Sequence, residues 1–80
     1  MLERGISMRD VVRVLQTGEA IEDYPDDTPY PSRLILGWIR SKPLHVVAAV
    51  NARDYETIVI TVYEPDPSHW QSDFRSRNTL

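Results

Sequence analysis

The apolar and polar residues near the start of the chain alternate with the period of a helix. Ser7 and Asp10 can form a capping box at its beginning, and Gly18 provides a stop signal. These signals predict one helix from about Met8 to Thr17. The apolar residues expected on its buried face are Val11, Val12 and Leu15.

Extended segments follow the predicted helix. The stretch EAIEDY, residues 19–24, favours a short first strand, and the loop PDDTPYPS after it contains three prolines in eight residues, which excludes it from a central strand. The stretches RLILGWIR, LHVVAAV and TIVITVY then predict three strands, the first two of them a hairpin. Pro65 and Pro67 end the last strand.

The C-terminal stretch HWQSDFRSRNTL predicts a short helical segment of one or two turns. Trp70 and Phe74 stand at i, i+4 and would form a small apolar face on it. Residues 76–80 are expected to fray.

Turn geometry and apolar matching predict how the strands pair. A two-residue turn at Ser41 and Lys42 would place Trp38 opposite His45. In the next hairpin, the register that opposes apolar residues pairs His45 with Tyr63. That register also pairs Val46 with Val62, Ala48 with Ile60 and Val50 with Ile58.

The two faces of this predicted sheet differ in composition. One is apolar and is the expected position of the helix, where Gly37 allows a close approach. The other presents Trp38, His45 and Tyr63 in one row, with Thr61 one layer in. The C-terminal segment is too small to cover this second face, so we expect a partner or substrate there. The apolar residues assigned to the partner-covered part are Leu34, Leu36, Trp38 and Val47.

Together the elements predict one small α+β domain over residues 1–80. An N-terminal helix packs on a strongly bent antiparallel sheet of three long strands plus a short one, and a short C-terminal helical segment follows. Three strands with one helix form a marginal fold, which again favours a covering partner.

Composition narrows the cellular setting. The chain has no cysteine, so it has no disulfide, no thiolate nucleophile and no sulfur-ligated zinc site, and we expect a cytoplasmic location. No apolar run approaches the roughly 18 residues of a membrane span, and the N-terminus has no apolar signal region. We therefore expect no membrane association.

The charge pattern leaves room for a local anion site. A net charge of −3 argues against a protein that coats nucleic acid. Eight of the nine basic residues are arginine, however, and the acidic residues cluster in EAIEDYPDD, which leaves DFRSR locally basic.

Five motifs carry a resemblance to a known family. RGIS, YPDDTPYPSRLILGW, PLHVV, ITVYEPD and DFRSR occur in this order and resemble a bacterial family of unknown function, family 4258. That family is distantly similar to RelE-like ribonuclease toxins, and its genes often lie beside a zinc-finger antitoxin of the YgiT or MqsA type. Its members usually begin with a further helix close to HA..RM..RGIS. This chain opens inside that helix, so either its start lies upstream of Met1 or the form is short.

The resemblance implies a toxin-like, metal-independent RNA endonuclease of a toxin–antitoxin system, whose partner is the antitoxin or a second copy. Such chemistry needs groups that move protons and steady charge on the phosphate. His45 would be the acid or base, Tyr63 an acid or hydrogen-bond donor, and Thr61 the orienting residue. The arginines available to bind phosphate are Arg33, Arg75 and Arg77.

Each of these residues also has a structural interpretation. His45 can pack on Trp38 with its nitrogens satisfied by Tyr63 or backbone, and Thr61 and Tyr63 suit any strand. Arg33 can instead pair with a nearby aspartate. The alternative function is therefore a catalytically inactive protein-interaction module on the same scaffold.

The acidic residues do not predict a metal or cofactor site. The cluster in EAIEDYPDD matches no calcium loop. His69 with Asp66 offers too few ligands for zinc, and no phosphate-loop or dinucleotide motif is present.

Overall fold

A computed structural model describes residues 5–51 and 53–76. One helix, α1 (Met8–Thr17), precedes four strands, β1 (Glu19–Tyr24), β2 (Ser32–Ile39), β3 (Lys42–Asn51) and β4 (Glu56–Tyr63). The strands form an antiparallel sheet in the order β1-β2-β3-β4. The α+β class, with one N-terminal helix on a four-stranded antiparallel sheet, is confirmed.

Both ends of α1 follow the local chemistry of the sequence. The backbone N–H of Asp10 donates to Ser7 Oγ over 3.2 Å, and the backbone N–H of Ser7 donates to Asp10 Oδ2 over 3.3 Å. At the other end, Gly18 N–H donates to the carbonyl of Val14. The predicted capping box and helix bounds are therefore confirmed.

The buried face of α1 differs from the predicted one by one residue. Val11 and Val14 are fully buried, whereas Val12 is 45% exposed. Residues three or four positions apart share a helical face, so Val11, Val14 and Leu15 point together and Val12 points away. The buried core that α1 helps to form contains Val11, Val14, Leu44, Val46, Ala48 and Val62.

The β2–β3 turn lies one residue earlier than predicted. Ile39 pairs with Lys42, so Arg40 and Ser41 form the two-residue turn, with φ angles of 52° and 71°. This left-handed backbone matches the twist of a tight hairpin. The correction moves the register by two residues, so Leu36, rather than Trp38, lies opposite His45. A shift of two keeps every side chain on its predicted face.

The predicted register of β3 and β4 is confirmed from His45 to Val47 and is wrong beyond Val47. His45 pairs with Tyr63, but the register shifts between Val47 and Ala48, and Ala48 pairs with Val59. Ile60 is the extra residue of a β-bulge and is 44% exposed. The predicted pairs of Ala48 with Ile60 and of Val50 with Ile58 are therefore wrong, and Val59 packs against the α1-side core instead.

The C-terminal helical segment is not seen. Residues 64–76 form successive turns, with backbone hydrogen bonds from His69 to Asp66 and from Phe74 to Gln71. Aspartate side chains hydrogen-bond to backbone N–H groups two residues later in both turns, and such bonds compete with helix formation. Apart from Ser76, the tail expected to fray lies outside the described residues.

Replacing Gly37 should test the contact between helix and sheet. A Cβ there would lie 2.6 Å from Val14 Cγ2, so we expect Gly37→Ala to lower the free energy of unfolding by about 1–3 kcal/mol. Chemical denaturation monitored by circular dichroism would measure this. Val12→Ala, on the exposed side of the same helix, serves as the control and should change stability by less than about 0.5 kcal/mol. Equal stability of Gly37→Ala and the parent chain would show that the contact is not tight.

Candidate functional site

A row of directly opposed residues crosses all four strands on the sheet face away from α1. Glu19 of β1 pairs with Leu36 of β2, Leu36 with His45 of β3, and His45 with Tyr63 of β4. Thr61 pairs with Val47 one layer further along the same face. The register therefore brings His45, Tyr63 and Thr61 to one face of the sheet.

His45 is fully buried, and both of its ring nitrogens have partners. Nε2 lies 2.9 Å from the carbonyl oxygen of Phe74, and Nδ1 lies 3.2 Å from Tyr63 Oη. Because a carbonyl can only accept, Nε2 carries the hydrogen. In the neutral ring Nδ1 is then the acceptor, and the Tyr63 hydroxyl donates to it.

Aromatic side chains surround the His45 ring. The Trp70 ring meets it edge-on, with centroids 4.5 Å apart, and the Tyr63 ring lies 5.3 Å away at 74°. Further along, Phe74 contacts Trp38 with a centroid separation of 6.0 Å. His45 therefore packs on Trp70 and not on Trp38, which is the ring that the structural interpretation of the sequence assigned to it.

Residues 64–76, here called the C-terminal strap, cross this face of the sheet. Trp70 lies on His45 of β3, Phe74 contacts Trp38 of β2, and Arg75 pairs with Glu19 of β1. The strap thus spans three strands and covers the centre of the row.

Two aspartates fix the shape of the strap. The backbone N–H and hydroxyl of Ser68 donate to Asp66 Oδ1, each over 2.8 Å, and these bonds hold the pKa of Asp66 below its usual value. The backbone N–H of Arg75 donates to Asp73 Oδ1 and likewise lowers the pKa of Asp73. Both carboxylates are therefore ionised at neutral pH and hold the turns that carry Trp70 and Phe74.

The predicted phosphate-binding arginines separate in the structure. Arg33 pairs directly with Ala48 and shares its face, so it lies on the α1 side of the sheet, away from His45, and bonds Asp23 over 3.1 Å. The salt bridge to an aspartate, which was the alternative interpretation of Arg33, is therefore present, and its role in binding phosphate stays a prediction. Arg75 lies on the His45 side, in an ion pair with Glu19 at the end of the row. Arg77 lies outside the described residues.

The face assigned to a partner is already closed at its centre. Leu34 is fully buried and Leu36 is 4% exposed within this chain, so neither is available to a partner. Val47 is partly buried, and Trp38 is 49% exposed. Of the residues assigned to the partner-covered face, Trp38 therefore has the most exposed side chain, and it lies at the edge of this face.

The described residues hold no group of three or more His, Cys, Asp or Glu side chains arranged to bind a metal ion. His69 Nε2 and Asp66 Oδ2 approach to 3.7 Å at the surface. Over the same part of the chain, no helix has the length and apolar character needed to cross a bilayer.

A family model described as "Domain of unknown function (DUF4258)" matches residues 1–64. The chain belongs to this family. Neither a curated protein nor a solved structure matches it. The DUF4258 match ends where β4 gives way to the strap, so it includes His45, Thr61 and Tyr63 but not Trp70, Phe74 or Arg75.

Two features of the site in this DUF4258 chain were not predicted from its sequence. Trp70 was assigned to a helix rather than to the cover of His45, and Glu19 was not assigned as the partner of Arg75. The Asp-Pro-Ser and Ser-Asp-Phe sequences were available signals, because aspartate in such contexts favours turns.

Removing Trp70 should open the site. We expect Trp70→Ala to lower the free energy of unfolding by about 3–5 kcal/mol, since this ring is 5% exposed. Trp38→Ala is the matched control, because the Trp38 ring is 49% exposed, and should cost roughly 1 kcal/mol. Denaturant titration would give both values.

Chemical modification supplies a second readout in the folded variants. His69, whose side chain is 74% exposed, should react with diethylpyrocarbonate in every form. His45 should react only after Trp70→Ala. Protection of His45 in that variant would show that the strap does not depend on Trp70.

Proposed function

We propose that this chain is a protein-interaction module that takes up an extended segment of its partner along β4. The observation that carries the proposal is the composition of this edge strand. No charged residue and no proline lies between Thr57 and Tyr63, although edge strands are usually protected by charge or proline against pairing with other chains.

The other edge of the sheet supports this by contrast. Strand β1 carries Glu19, Glu22 and Asp23 within six residues, a charge density that discourages an added strand. Of the two edge strands in the described sheet, β4 is therefore the one whose surface is apolar. Its bulge at Ile60 increases the local twist but leaves that side chain exposed.

Exposed apolar side chains concentrate in the same hairpin. Tyr55 is 96% exposed, Val50 47% and Ile58 36%, and Val50 and Ile58 belong to neighbouring residue pairs of β3 and β4. An added strand would gain backbone hydrogen bonds from β4 and apolar contacts from Ile58 and Ile60 on that strand. The family resemblance favours a zinc-finger antitoxin of the YgiT or MqsA type as the partner, and a second copy of the chain is the alternative.

Introducing a charge into the exposed apolar edge would test the module. Ile60→Lys should weaken binding of a zinc-finger antitoxin of the YgiT or MqsA type by at least about tenfold, which corresponds to about 1.4 kcal/mol. Titration calorimetry measures this, and light scattering detects a second copy. Val12→Lys is the control, since Val12 and Ile60 are 45% and 44% exposed. Equal loss in both variants, or binding of neither partner by the parent chain, would refute the proposal.

A second candidate function is the metal-independent RNA endonuclease implied by the resemblance. The 3.2 Å contact between His45 and Tyr63, with Thr61 on the same face, favours it because these groups suit proton transfer during attack by a 2′-hydroxyl. His45 is fully buried, so this function requires the strap to leave the sheet.

Variants that release the strap from the sheet would distinguish the endonuclease from the interaction module. The double variant Trp70→Ala/Phe74→Ala should cleave RNA in EDTA if the endonuclease is latent, and adding Tyr63→Phe should reduce that cleavage by about 100-fold. Tyr55→Phe, at a residue that is 96% exposed, is the matched control and should leave it unchanged. Gel analysis of the products gives the rates. Absence of cleavage in the opened variant would eliminate the endonuclease, and unchanged cleavage after Tyr63→Phe would eliminate the assigned site.

A further inference from the structure

A cavity of about 720 Å³ lies between the start of α1 and the β2–β3 turn. Three cationic side chains line it, Arg9 from α1 and Arg40 and Lys42 from the turn. None of the three forms a salt bridge with another described residue, whereas Arg33 and Arg75 both do. Three of the five described cations that form no salt bridge with another described residue therefore lie at one concave surface.

The carboxylates in the cavity wall do not balance these cations. They are Asp10 and Glu64, and Asp10 is engaged in the cap of α1 through Ser7. Three cations against two carboxylates leave a formal charge of +1 in the wall, although the whole chain carries −3. An excess of cations over carboxylates in one concave wall favours a bound anion.

The backbone of the turn places one of these cations, Arg40, at unusual conformational cost. Arg40 and Ser41 have φ angles of 52° and 71°, a region that Asn-Gly occupies in most turns of this type. A residue without a β-carbon would relieve the strain at position 40. Strained residues of this kind concentrate at functional sites, which agrees with a role for the Arg40 side chain.

Apolar side chains complete the cavity. Ile6, Ile39 and Leu44 line it beside the cations, and its volume lies in the range of pockets that hold small molecules. We propose that this cavity binds a nucleotide, with the phosphate on Arg9, Arg40 and Lys42 and the base against the apolar wall. The phosphate can belong to a free mononucleotide or to an RNA strand.

This site is separate from the His45 site, and the proposal does not rest on the proposed function. Leu44 of the cavity wall belongs to the core under α1, whereas His45, the next residue along β3, points to the opposite face. A divalent cation is disfavoured because the cations in the wall outnumber the carboxylates.

Calorimetric titration of the full chain with 5′-AMP and with adenosine would test the proposal. We expect 5′-AMP to bind with a Kd below about 1 mM and adenosine to bind at least about tenfold more weakly. Arg40→Gln and Lys42→Gln should each weaken 5′-AMP binding about tenfold or more. Arg53→Gln is the matched control, because Arg53 is exposed, outside the cavity and without a salt bridge among the described residues.

Arg40→Gly distinguishes a ligand contact from a structural role. It removes the guanidinium and also relieves the left-handed backbone, so we expect a higher Tm together with the loss of 5′-AMP binding. A lower Tm would contradict the strain argument. Absence of 5′-AMP binding by the parent chain, or equal loss in Arg53→Gln, would overturn the proposal.

A titration with hexa-adenylate identifies the source of the phosphate. Tighter binding of the oligonucleotide than of 5′-AMP, lost in Arg40→Gln, would assign the site to RNA. Tighter binding of 5′-AMP would assign it to free nucleotide. Binding of both ligands that Arg40→Gln and Lys42→Gln leave intact would overturn the proposal, because the nucleotide would then lie elsewhere.

Discussion

A fully buried imidazole requires a hydrogen-bond partner at each nitrogen, and this requirement organises the sheet face opposite α1. Tyr63 on the neighbouring strand satisfies one nitrogen of His45, and the Phe74 carbonyl satisfies the other. The second partner comes from a segment that forms no helix or strand, so the strap is held in place by the residue that it covers. Its two aspartate-stabilised turns deliver the carbonyl and the Trp70 ring together.

The elements that were predicted correctly from the sequence are those that depend on residues close together in the chain. Ser7, Asp10 and Gly18 specify α1 through contacts within a few residues, and the apolar strands specify the sheet. The pairing of His45 with Tyr63 was predictable because burial of alternate residues restricts the register. The bulge at Ile60 was not, because nothing in the β-branched stretch TIVITVY distinguishes its extra residue.

The candidate site was only partly predictable, because part of it depends on contacts between residues far apart in the sequence. His45, Thr61 and Tyr63 came to one face because alternation along a strand fixes the face of each side chain. The cover by Trp70 depends on contacts between residues 25 positions apart, and the partner of Arg75 is Glu19, at the other end of the chain. Alternation also places Arg33 on the α1 side of the sheet, but its place in the strand was not used in predicting its role.

The β2–β3 turn has a consequence for the interior of the protein. A hairpin whose turn moves by one residue changes its register by two, and the alternation of faces is preserved. A chain with a different turn sequence could therefore keep the same two faces while bringing Trp38, rather than Leu36, beside His45. The solvent-exposed dipeptide Arg40–Ser41 thus selects which β2 side chain borders the buried ring, so the surroundings of the imidazole can change without any substitution in the core.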